Sequence, residues 1–240
     1  MRSLFLFLLL LILALPLAAQ ELPAATPAEA TAADGLALKG DFYLPADVPD
    51  EGVPALLLMH MLSAKRGDYE PLIPALVEAG YAVLNVDLRG HGETGDRRDW
   101  DAATLDVQTW LDWLREQPGV QPERIAIIGA SIGSNLALIG CANDADCVTA
   151  IALSPGLDYM GVQPAEAVQE GLRRRSALLI ASSVDRESAT GVRAMFSESN
   201  GTIAAHIYPG FAHGTELFRD SLDSVTTLIL NWLYERFIEL

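Results

Sequence analysis

The 240-residue chain is half hydrophobic and carries 32 Asp and Glu against 16 Lys and Arg, a formal net charge of −16. Such acidity repels nucleic acid and anionic membrane surfaces, which excludes the nucleic-acid-binding classes, and it says nothing about fold. Length and apolar share suit one sizeable α/β domain with a full core.

The chain opens with a short positive start, Met1-Arg2-Ser3, then unbroken apolar sequence from Leu4 to Leu15, Pro16, and small residues at Ala18-Ala19. This order predicts a secretory signal peptide over 1–19, because the apolar run is shorter than the ~20 residues a spanning helix needs. No Cys follows to take a lipid, so no stable membrane insertion is expected after cleavage, and the mature protein is expected to be periplasmic or secreted. Residues 20–33 are Ala, Pro, Thr and Glu with one Gln and no large apolar residue beyond Leu22, which predicts a flexible leader. A single domain is expected over 34–240.

Asp34-Gly35 opens a turn, and Leu36 to Leu44 reads as a strand. Val53 to His60 is almost continuously apolar, as in a strand buried on both faces. Asp68 to Ala79 reads as a helix with Leu72, Ile73, Leu76 and Val77 on one face, ended by Gly80. A strand over Tyr81 to Val86 and a helix over Ala102 to Gln117 follow, the helix stopped by Pro118-Gly119. Next come a short strand, Ile125 to Ile128, and a helix from Ile132 to about Cys141. Strands are then expected at Val148 to Leu153, Ala177 to Ser182 and Thr202 to Ile207, before a closing helix from Ser221 to Phe237. The alternation predicts an α/β fold, a doubly wound and mostly parallel sheet. The long connection from Ser154 to Arg175 is too short for a separate cap domain. Cys141 and Cys147, in an exported protein, are expected to form a disulfide.

Gly129-Ala130-Ser131-Ile132-Gly133 lies between a strand and a helix. A G-x-S-x-G in that place is the sequence form of a nucleophile elbow, in which glycines on either side of the serine avoid collision with neighbouring backbone. A serine hydroxyl needs a base, and the base needs an orienting acid. His213 is the expected base, because it sits in a Gly-rich loop after the last strand, whereas His206 reads as a strand residue. Asp185, at the end of the preceding strand, is the expected acid, with Asp158 and Glu187 as competitors. The backbone N–H groups of Ile132 and of Leu62, in the loop after the first buried strand, are the expected oxyanion donors. His60 reads as a residue that shapes that loop. Asp87-Leu88-Arg89-Gly90-His91-Gly92 reads as a hydrogen-bonded turn bracing the loop from behind, and Lys65-Arg66 as solvated loop charge. No metal site and no cofactor are expected, since no second His lies at ligand spacing.

Taken together, Leu56 to Leu62, Asp87 to Gly92, Gly129 to Gly133, Asp185 and His213 resemble the α/β-hydrolase superfamily over essentially all of residues 35 to 240. The nearly capless form is similar to the dienelactone hydrolase branch and its serine-esterase relatives. Two positions depart from that pattern: His60-Met61 stands where many relatives have His-Gly, and Ser131 stands where dienelactone hydrolases have Cys. The expected activity is hydrolysis of small uncharged carboxylic esters through an acyl-enzyme on Ser131, with Met61, Met160 and Phe211 lining the substrate site together with Leu62 and Ile132. A peptidase or thioesterase on the same three residues, or a non-catalytic binding protein of this fold, are the alternatives. The sequence does not indicate an oligomeric state.

Overall fold

A computed structural model describes residues 22–173 and 175–238. The expected signal segment, 1–19, lies outside the described residues. Eight strands form one sheet: β1 (Thr26–Thr31), β2 (Ala37–Tyr43), β3 (Val53–Met59), β4 (Ala82–Asp87), β5 (Val120–Ala130), β6 (Cys147–Leu153), β7 (Ser176–Ser182) and β8 (Thr202–Tyr208). Their order is β1-β2-β4-β3-β5-β6-β7-β8. The β1/β2 and β2/β4 pairs are antiparallel and the other five are parallel. Helices α1 (Ile73–Glu78), α2 (Trp100–Arg115), α3 (Ile132–Asn143), α4 (Arg186–Glu198) and α5 (Leu217–Ile238) join and cover the strands.

The doubly wound form follows from strands that are apolar on both faces. On β3, Ala55, Leu57 and Met59 face the core shared with α2, α3 and α4, while Leu56 and Leu58 face the core under α1 and α5. Alternation with period two sends successive side chains to opposite faces, so a continuously apolar strand needs helices on both.

Several elements differ from the sequence-based expectation. Thr26–Thr31, expected within the flexible leader, is an edge strand paired with β2, and Ala28 is buried there. Its ladder is made by backbone, which a run of Ala, Thr and Pro does not advertise, and Pro27 is tolerated at an edge. The helix expected from Asp68 splits into a 3-10 turn, Arg66–Tyr69, and α1, because Pro71 and Pro74 lack the N–H that would continue one helix. The closing helix begins four residues early, at Leu217, and kinks at Ser221. Helix α4 was not individually foreseen; its inward face holds only Ser188, Ala189, Gly191, Val192 and Met195.

Cys141 and Cys147 are bridged, tying the end of α3 to the start of β6. No described helix is long and apolar enough to cross a membrane.

Candidate active site

Ser131 sits between β5 and α3 with φ 52° and ψ −120°. A non-glycine residue in that region is strained and persists only where its surroundings hold it. Here the Ser131 N–H donates to Leu153 O at 2.8 Å, and the Ser131 carbonyl accepts the N–H groups of Ser134 and Asn135. The two flanking glycines make room for the turn. A Cβ on Gly129 would lie 2.0 Å from Gly133 O, and a Cβ on Gly133 would lie 2.4 Å from Met59 O.

The last rungs of the parallel ladder deliver the other residues. Ser154 N–H donates to Ile180 O at 2.6 Å, Ser183 N–H to Tyr208 O at 2.7 Å, and Val184 N–H to Gly210 O at 2.9 Å. Pairing of β7 with β8 thus continues past both strands and sets Asp185 beside the loop that carries His213. His213 Nε2 lies 2.7 Å from Ser131 Oγ, and His213 Nδ1 lies 2.7 Å from Asp185 Oδ2. An ionised carboxylate only accepts, so Nδ1 carries the proton and the Nε2 lone pair faces the serine hydroxyl. Ser131 is 7% exposed, while the His213 side chain is 34% exposed and reachable from solvent.

The His213 loop is pinned at its backbone. Glu216 Oε2 accepts the His213 N–H at 3.1 Å, the Glu216 N–H donates back to His213 O, and the Gly214 N–H donates to Ser154 Oγ at 2.9 Å. Asp158 is elsewhere engaged: its exposed carboxylate accepts Gly161 N–H at 2.8 Å and Gln163 Nε2 at 2.6 Å, and these bonds lower its pKa. It caps its own turn. Glu187 lies in the first turn of α4, while the Asp185 side chain caps that helix by accepting Ser188 N–H at 3.4 Å.

Leu62 and Ile132 are brought to the same edge of the sheet, after β3 and β5. Among the described residues, neither backbone N–H has a hydrogen-bond partner. The loop bearing Leu62 is fixed by His60, whose ring is fully buried. His60 Nε2 accepts Leu88 N–H at 3.0 Å, so Nδ1, 2.8 Å from Met61 O, is the donor. Burial, with His91 nearby, lowers the His60 pKa to about 4, which keeps this tautomer neutral. Asp87 accepts the N–H groups of Arg66 and Glu93, each at 2.9 Å, and pairs with the Arg66 guanidinium. Arg66 also pairs with Asp41 and Glu93, so it is an internal tie rather than solvated loop charge. Arg89 does the same for the first hairpin, bridging Asp34 and Asp106.

Met61 lies against the His213 loop, since a Cβ on Gly214 would meet its sulfur at 3.1 Å. Met160 and Phe211 stand at loop tips, 60% and 79% exposed. A cavity of about 360 Å³ beside the site is walled by Met61, Asp68, Pro71, Thr215 and Glu216, among others, and not by those two. His206 is exposed on β8. Among the described residues no cluster of His, Cys, Asp or Glu is suited to a metal ion.

Sequence reasoning missed four polar residues that support the site. Asn135 on α3 holds the β6–β7 connection, donating to Gly156 O and Val162 O and accepting Gly156 N–H. Behind His213 the Tyr159 and Ser188 hydroxyls meet each other and the Ser154 backbone carbonyl, while the Ser154 hydroxyl accepts Gly214 N–H. Only Ser188 had a sequence signal, three residues after Asp185 at the spacing of a helix cap.

Residues 52–186 match the family model described as serine aminopeptidase, S33. An uncharacterized protein, YfhR of Salmonella typhi, is 30% identical over 131 residues, 49% of this chain and 44% of that protein. The thiohydrolase aneE of Aspergillus aculeatus is 28% identical over 165 residues, 65% of this chain and 50% of that protein. The match thus spans about half, or less, of the length of these curated relatives. The solved esterase Pf2001 of Pyrococcus furiosus superposes with a TM-score of 0.75 at 18% identity, covering 89% of this chain and 91% of that one. The elbow, the eight-stranded sheet and the matched family model agree: the chain belongs to the serine aminopeptidase S33 family of α/β-hydrolases.

Proposed function

We propose that this protein is a serine hydrolase that cleaves carboxylic esters. The observation that carries this reading is the unbroken chain Ser131 Oγ–His213 Nε2, His213 Nδ1–Asp185 Oδ2, with 2.7 Å at each link. Ser131 Oγ attacks the ester carbonyl carbon while its proton passes to His213 Nε2. The Leu62 and Ile132 amides receive the charge developing on the carbonyl oxygen. The tetrahedral intermediate collapses, the C–O bond to the alcohol breaks, and His213 returns the proton to the leaving oxygen. Water, deprotonated by His213, then attacks the acyl-enzyme and releases the acid and Ser131. Asp185 holds the imidazole tautomer and stabilises its charged form without taking its proton. Met61, Met160 and Phe211 contact the substrate around an uncapped site, which favours small esters. No cofactor or metal enters these steps.

A second reading has its own support. Thioester or amide cleavage by the same three residues is the alternative, and the relative named a thiohydrolase and the family described as serine aminopeptidase favour keeping it. We also infer a signal segment over 1–19 ahead of one hydrolase domain, and export of the mature chain; the disulfide between Cys141 and Cys147 suits an oxidising compartment.

A fluorophosphonate probe should label the wild-type protein at Ser131, and Ser131→Ala should lose labelling together with at least about 10³-fold in kcat. Absence of labelling in folded wild-type protein overturns the catalytic reading. Parallel assays on an ester, a thioester and an amide of one acyl group separate the two substrate readings.

A further inference from the structure

Behind His213 lies a cluster that the three-residue mechanism leaves unused. Ser188 Oγ is fully buried and sits 3.5 Å from His213 Nδ1, 3.0 Å from Tyr159 Oη and 3.3 Å from Ser154 O. Tyr159 Oη is also 3.2 Å from Ser154 O. The proton count decides what Ser188 offers the histidine. The Ser154 carbonyl only accepts, so one of the two hydroxyls must donate to it. If only Tyr159 donates there, Ser188 donates to Tyr159; if only Ser188 does, Tyr159 donates to Ser188; and the two lone pairs of the carbonyl can also accept both hydroxyls at once. In every arrangement the Ser188 proton is used away from the histidine and an oxygen lone pair remains for His213 Nδ1–H.

We propose that Ser188 is a second acceptor for the His213 Nδ1 proton, and therefore a positioning residue for the base. The proposal rests on the reading of His213 as that base. The Nδ1–H then points chiefly at Asp185 Oδ2, at 2.7 Å, with Ser188 Oγ as the longer and weaker second acceptor at 3.5 Å, and a second acceptor restrains rotation of the ring about the first bond. The ring is also braced by its neighbour, since Tyr159 meets it edge-on, with centroids 6.2 Å apart and planes at 83°. Tyr159 is itself seated on Gly156, where a Cβ would lie 2.5 Å from its ring. Asn135, four residues after the nucleophile, holds Gly156 from both sides. The β6–β7 connection is thereby a strut from the nucleophile's helix to the base. Tyr159 stays a neutral phenol, because burial raises its pKa to about 12.

The test compares Ser188→Ala with Tyr159→Phe in the full chain, with kinetics on the best ester and the proton NMR resonance of His213 Nδ1–H as readouts. Ser188→Ala removes the second acceptor and should lower kcat about 5- to 10-fold, the equivalent of one net hydrogen bond. KM should stay within about two-fold, and the Nδ1–H resonance should move. Tyr159→Phe keeps the aromatic edge against His213 and removes only the hydroxyl, which leaves Ser188 to donate to Ser154 O with its lone pair on the histidine, so the Nδ1–H resonance should stay in place. A merely structural Ser188 would lower the melting temperature and leave the resonance of the folded protein unmoved. That result, or an unchanged kcat in Ser188→Ala, overturns the proposal. Failure of the underlying reading is separate, and shows as Ser131→Ala retaining activity.

Discussion

At the scale of single residues, strain and hydrogen bonding concentrate on Ser131. Its φ of 52° is held by Leu153 on one side and by the first turn of α3 on the other. The glycines that permit this were readable because the chemistry demands them at fixed offsets. That His213 would stand beside Ser131 was readable from its position in a Gly-rich loop. Which carboxylate would meet it was harder to read, since Asp158 and Asp185 both follow a strand, and only the structure shows Asp158 bonded to Gly161 and Gln163 and Asp185 to His213. Asp185→Asn should therefore lower kcat by about 10³- to 10⁴-fold, as loss of an orienting carboxylate does elsewhere. Asp158→Asn should leave kcat within about two-fold. Steady-state kinetics on both variants checks the assignment, and a large loss confined to Asp158→Asn transfers the role. Ser188 and Tyr159 were invisible in sequence because a hydroxyl has no pattern until a partner stands opposite it.

At the scale of elements, legibility followed side-chain periodicity. The apolar strands β3 to β7 and the amphipathic α2 declared themselves. Strand β1 did not, because its alanines carry no hydrophobic signal and its stability comes from the ladder to β2. The joint between β3 and β4 carries a pH dependence. His60 binds Met61 O and Leu88 N–H as a buried neutral ring. With its pKa lowered from 6.5 to about 4 in the fold, the unfolded chain takes up the proton first on acidification. The stabilisation is then complete above about pH 6.5 and is lost as pH falls toward 4, for a total of about 3 kcal/mol. His91, lowered by its own burial, adds in the same direction. The urea midpoint of the wild type should fall between pH 7 and pH 5. His60→Asn should start lower at pH 7 and show a shallower fall; parallel slopes would remove His60 from this account.

At the scale of the whole molecule, the α/β class and doubly wound topology were legible because alternating strands and helices leave few other arrangements. The exact assembly of the site was not, because it depends on ladder rungs that continue beyond the strands. Those rungs distribute the site unevenly. Ser131 hangs from β5, flanked by paired strands on both sides, whereas Asp185 and His213 hang from β7 and β8, and β8 is one of the sheet's two outer strands. Outer strands, with exposed backbone bonds and fewer buried contacts, open at lower free energy than a central ladder. Gradual heating should therefore abolish the proposed ester turnover several degrees below loss of far-ultraviolet ellipticity, and coincident transitions would refute this ordering. Ser131 and His213 thus belong to regions of unequal durability, so on the proposed reading the working lifetime of the activity is set at the sheet's margin, and reinforcing β8 would prolong it more than any improvement to the core.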